Sequence, residues 1–83
     1  VVEILSPATA LKDLREKKNL NEKFGVKEYI VIDPLEEYVE RFWLGGDGMY
    51  NRGEVFGSQE VLPLKSLEEI KVNLWEIFEV EKI

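Results

Sequence analysis

Eighty-three residues carry no cysteine and no histidine, with 17 acidic against 11 basic side chains and a formal net charge of -6. Length limits the chain to one domain with one modest core, and the missing residue types exclude disulfides, thiolate or imidazole metal sites and any triad built on histidine. The acid excess argues against a general nucleic-acid coat, no apolar run approaches the roughly 20 residues of a membrane span, and no signal peptide opens the chain, so a soluble cytoplasmic protein is expected.

The chain opens on a short run of branched apolar residues, Val1, Val2, Ile4 and Leu5, the pattern of a strand buried on both faces. Glu3 interrupts it. Alternation puts Glu3 on the face of Val1 and Leu5, where its carboxylate needs a cation or a donor; the alternative is an edge strand with Glu3 in water. The run begins inside a strand and without an initiator methionine, which predicts that residues 1–83 form a single partial domain of something longer.

Ser6-Pro7 reads as a helix start, with Ser6 or Thr9 as the cap, and the helix is expected to reach about Phe24 and stop at Gly25. At about 100° per residue, Ala10, Leu14, Leu20 and Phe24 form one stripe with Leu11 at its margin. Lys17 and Asn21 fall near the centre of that stripe, so two polar side chains are expected to point at the core. A lysine so placed can snorkel to water, and Asp13, one turn before it, can pair with it. A strand carboxylate and an inward helix lysine in adjacent elements nonetheless single out Glu3 and Lys17 as the candidate site.

Residues 28–33, Glu-Tyr-Ile-Val-Ile-Asp, form a second strand closed by Asp33-Pro34, which completes a strand–helix–strand unit with parallel strands. Residues 38–44 and 49–53 read as an antiparallel hairpin around Gly45-Gly46-Asp47-Gly48; that glycine cluster lacks the spacing and the following helix of a phosphate loop, and reads as a turn. Residues 53–58 look irregular. A short strand is expected over 59–64, weak alternation follows at 69–72, and Asn73 can cap a terminal helix over 74–78 whose Leu74, Trp75, Ile77 and Phe78 cover the core.

The segments Val2-Glu3-Ile4-Leu5-Ser6-Pro7, Asp13, Lys17, Gly25-Val26, Glu28-Tyr29, Ile32-Asp33-Pro34 and residues 67–78 resemble the Uma-type family of restriction-endonuclease-like proteins, in the PD-(D/E)XK nuclease superfamily. The resemblance implies an α/β (α+β) fold with a mixed sheet and a flanking helix, of which this chain is the C-terminal part. It implies Mg²⁺- or Mn²⁺-dependent hydrolysis of DNA phosphodiesters, with Glu3 as metal ligand and Lys17 as the catalytic lysine, carried on the helix instead of on the strand. Asp13 and Asn21 would support that lysine, although Asn21 stands where the family usually has a tyrosine, and Ile30 where a tryptophan is common. Oxygen ligands suit Mg²⁺, which needs neither histidine nor cysteine. The family's other metal-binding aspartate lies upstream of the Glu3 strand, outside this chain, so an inactive or incomplete form is expected, together with a homo-oligomer or association with a missing N-terminal segment to cover exposed sheet surface. The alternative is a non-catalytic oligomerisation or protein-interaction domain in which Glu3 and Lys17 form a structural ion pair. The interleaving of Lys12 to Lys27 with Asp13, Glu16 and Glu22 supports that alternative.

Overall fold

The computed structural model describes residues 1–6, 8 and 11–83. A four-stranded sheet in the order β1-β2-β3-β4 organises them: β1 (Val2–Ile4), β2 (Glu28–Asp33), β3 (Tyr38–Trp43) and β4 (Glu54–Gly57). β1 runs parallel to β2, joined to it through α1 (Leu11–Lys23), and the remaining neighbours are antiparallel. This is the expected mixed sheet with a flanking helix. A two-stranded sheet, β5 (Val61–Pro63) with β6 (Lys71–Asn73), and the short α2 (Leu74–Ile77) complete the chain. No helix among the described residues is long and apolar enough to cross a membrane.

Register decides what faces what. Glu3 pairs with Val31, Val31 with Glu40 and Glu40 with Val55, so these four side chains share one face, which Tyr29 and its partner Phe42 also occupy. Tyr29, Val31 and Phe42 form the core there, with Leu5 and Tyr50 packed against them. The opposite face buries Ile30 and Val39 against Leu62 of β5 and Leu74 of α2, with Ile32, Phe56, Leu64, Val72 and Phe78 around them. That second cluster explains the strong β-formers of β2, which are covered on both sides.

Gly25 ends α1 as expected. It adopts φ 73°, donates to the Glu22 carbonyl at 3.1 Å, and is followed by Val26 donating to the Asn21 carbonyl at 3.0 Å, the paired bonds of a Schellman ending. The expected helix start at Pro7 or Thr9, and the stripe position Ala10, lie outside the described residues. Asn73 is extended at the head of α2 but makes no capping side-chain bond there.

Three expectations are corrected. β1 is an edge strand, not one buried on both faces: β5, β6 and α2 cover the sheet over β2 to β4, which leaves Val2 and Ile4 55% and 66% exposed. The return strand expected at 49–53 is a single bridge, Leu44 to Tyr50. The ladder resumes at Glu54, so residues 53–58, expected to be irregular, hold strand β4; Asn51 Oδ1 accepts the N–H groups of Trp43 at 3.1 Å and Gly53 at 3.2 Å in place of a backbone partner and delays the pairing. The third correction concerns α1, which presents Leu14, Lys18, Asn21 and Glu22 to the sheet and leaves Leu20 and Phe24 exposed. The sheet beneath is aromatic, so it takes the Lys18 ammonium 4.3 Å over the Phe42 ring, and Glu22 accepts the Tyr50 N–H at 2.7 Å.

Candidate functional site

Parallel pairing of β1 with β2 aims Glu3 toward the side that α1 crosses, and the helix brings Lys17 to the same edge. The Lys17 ammonium donates to Glu3 Oε1. The pair does not lie in the core. Lys17 is half exposed and Glu3 a quarter exposed, so the lysine expected to point inward sits at the margin between helix and sheet. Its hydrogen bond to Glu3, and then the Glu3 charge, raise the Lys17 pKa above the usual 10.5; slight burial opposes them and Asp13 adds to them. Lys17 is therefore an ammonium at neutral pH, a cation and donor but not a general base.

Beside the pair opens a shallow groove of about 420 Å³ lined by Ser6, Ala8, Asp13, Glu16, Lys17 and Leu20. Asp13 faces this groove with Lys17. Asn21 does not reach the pair, because its Nδ2 donates to the Lys17 carbonyl at 2.9 Å within the same helix. Of the four residues singled out in the sequence, Glu3 and Lys17 meet, Asp13 lends charge at the groove, and Asn21 only braces helix backbone.

The sequence reading missed two features near the site. The first is an ionic network on the other face of the sheet. Glu28 accepts the Lys65 N–H at 2.9 Å, the Ser66 N–H at 3.2 Å and the Ser66 hydroxyl at 2.6 Å. Arg41 lies 3.8 Å from Glu28 and 3.1 Å from Glu54, and also donates to the Pro63 carbonyl. Burial pushes the Glu28 carboxyl up, but the Ser66 and Lys65 hydrogen bonds and the Arg41 charge together outweigh it, leaving Glu28 below its ordinary value. The signal was present: alternation puts Glu28 on the face of Ile30 and Ile32, and Arg41 on that of Val39.

Tyr29 is the second. Its side chain is 1% exposed, and its hydroxyl is buried without a hydrogen-bond partner among the described residues. Burial raises its pKa, and the Glu3 charge raises it further. Tyr29 thus shares both a sheet face and an electrostatic environment with Glu3.

A divalent ion does not fit the described residues by themselves. No three acidic, histidine or cysteine side chains among them converge on one point, and Glu3 Oε1 is already occupied by an ammonium. Mg²⁺ takes an octahedral shell of oxygens and usually one or two carboxylates, so Glu3 would need a further ligand from outside residues 1–83.

The family model Uma2, described as "Putative restriction endonuclease", matches residues 1–75. A crystal structure from Anabaena variabilis ATCC 29413, of "a putative nuclease belonging to DUF820", superposes with a TM-score of 0.78 at 23% sequence identity, over 95% of this chain and 42% of that one. The likeness is one of fold, and this chain spans less than half the length of that nuclease. None of the curated proteins matches it.

Proposed function

This chain belongs to the Uma2 restriction-endonuclease family, and from that premise we propose that it is the C-terminal part of a nuclease domain that hydrolyses DNA phosphodiesters, with Lys17 and Glu3 as its catalytic pair. The observation that carries the reading is the contact of Lys17, half exposed and lining an open groove, with Glu3 on the edge strand of a sheet whose fold matches the Anabaena structure. A structural pair has no need of that access.

Lys17 supplies positive charge. As an ammonium it leaves Glu3 Oε1 for a phosphoryl oxygen, and it stabilises the charge that builds there as water attacks phosphorus and the ester oxygen departs. Glu3, released from the lysine, is an acceptor that orients the attacking water and takes its proton, which then passes to the departing ester oxygen. Restriction-endonuclease-like proteins generally work with divalent metals, Mg²⁺ or Mn²⁺. The described residues do not complete such a site, and residues 1–83 alone are expected to be inactive. DNA as substrate fits action in the cytoplasm.

A second reading is favoured by apolar side chains exposed on both β1 and α1. Val2 and Ile4 on the free edge of β1, with Leu20 and Phe24 on α1, are exposed and await a second copy or an N-terminal segment. An interaction domain would use that surface and need no catalysis. Plasmid and single-stranded DNA, incubated with Mg²⁺ or Mn²⁺, separate the two readings when this chain is assayed beside a form extended upstream in its reading frame. Cleavage by the extended form that disappears in Lys17→Ala supports the nuclease. Absence of cleavage and of metal binding in both forms overturns it in favour of the interaction domain.

A further inference from the structure

The Tyr29 ring is accounted for by packing, stacked 6.1 Å from the Phe42 ring and 6.3 Å from that of Tyr50. Its hydroxyl is not. Phenylalanine would make the same stacks, and a buried hydroxyl with no partner is a standing cost to the fold. Tyr50, in the same cluster, resolves this by donating to the Val26 carbonyl at 2.7 Å. The other buried side-chain atoms without partners among the described residues, Arg41 Nε and Glu54 Oε1, belong to the ionic network on the far face. Tyr29 Oη alone lies on the side of Glu3, whose charge reaches it. Register fixes the relation: Glu3 pairs with Val31, and Tyr29 is the residue before Val31 on the same face of β2.

We propose that Tyr29 is a positioning residue for Glu3, its hydroxyl becoming the hydrogen-bond donor to the carboxylate when Lys17 leaves for a substrate phosphate. The inference rests on the nuclease reading, which requires Lys17 to move. A half-buried carboxylate that loses its ammonium needs another donor. Tyr29 supplies one without adding positive charge, so the Glu3 charge stays available to a water or a cation. Of the other cations on the sheet-facing side of α1, Lys18 is engaged over the Phe42 ring, and Arg15 lines the cleft over Tyr29 and Val31.

Replacing the lysine reproduces the state in which it has left. The chain has three tyrosines, and carbon-13 at their Cζ atoms gives three signals, assigned by Tyr29→Phe. In Lys17→Met, or in Lys17→Gln should the first variant fold poorly, the Tyr29 signal is expected to move downfield. It should return when Glu3→Gln is added. Urea unfolding of the same proteins gives a second readout: Tyr29→Phe should raise the unfolding constant by about tenfold in the Lys17→Met background, as expected for a hydrogen bond to a charged group, and leave it unchanged or lower it when Lys17 is present. A Tyr29 signal that stays in place in Lys17→Met, or equal effects of Tyr29→Phe in both backgrounds, overturns the assignment whatever the cleavage assay shows. Movement of the signal with no cleavage by any form overturns the nuclease reading alone.

Discussion

Arg41 lies 3.8 Å from the Glu28 carboxylate, and both side chains are buried in the sheet face that β5 and β6 cover. Removing the cation leaves the buried Glu28 charge with only its Lys65 and Ser66 hydrogen bonds and deprives Glu54 of its closest partner. Arg41→Met is expected to cost about 3–5 kcal/mol, read from urea unfolding.

The same carboxyl predicts a direction with pH. Glu28 lies below its ordinary 4.5 in the fold, so its contribution to stability is fully present above the unfolded value and is lost as pH falls through the lower, folded value. Unfolding free energy should therefore fall as the solution is acidified below about pH 4.5, and Glu28→Gln should flatten that acid limb while lowering stability at neutral pH.

Gly53 has φ +90°, and a Cβ there would stand 2.6 Å from Glu40 Oε2 and 2.8 Å from the Phe42 ring. The Glu40 carboxylate can swing aside, but the buried ring cannot. Gly53→Ala is expected to cost about 2–3 kcal/mol through backbone strain and overpacking, measurable as a fall in the thermal midpoint.

Two glutamates occupy backbone that favours glycine or asparagine. Glu37 has φ 55° in the turn that Asp33 Oδ1 organises, and Glu79 has φ 56° just past α2. At Glu79 the ending is again a Schellman pair, with its N–H on the Glu76 carbonyl and Val80 on Trp75. Glu37→Asn and Glu79→Gly should each raise stability by about 0.5–1 kcal/mol, and the two gains should add.

These positions also show how far the sequence could be read. β1, α1, β2 and β3 follow from runs of branched residues and a glycine stop, and the parallel pairing of β1 with β2 follows from the helix between them. The return to β4 does not follow, because the glycines at 45–48 imply an immediate hairpin, whereas the Asn51 side chain takes the place of ladder bonds and delays pairing until Glu54. The inner face of α1 was also misread. Periodicity weighs leucine and phenylalanine as inward residues, but the aromatic sheet surface accepts Lys18 and Glu22, and Leu20 and Phe24 turn outward. Glu3 and Lys17 were legible as anomalies on an apolar strand and an amphipathic helix. Tyr29 was not, since a tyrosine in a strand looks like ordinary core until its hydroxyl is seen to lack a partner.

Under the proposed function, Lys17 at the Glu3 edge serves chemistry and not the stability of the fold. Because Lys17 is half exposed and Tyr29 is placed to donate to the Glu3 carboxylate in its absence, losing the ammonium should barely disturb the structure. The most direct measurement is DNA cleavage by Lys17→Met in the upstream-extended form, made beside its urea midpoint. Cleavage abolished with the midpoint unchanged is the predicted result. Cleavage retained, or a midpoint that collapses with the activity, would contradict the account and leave the pair a structural tie between β1 and α1.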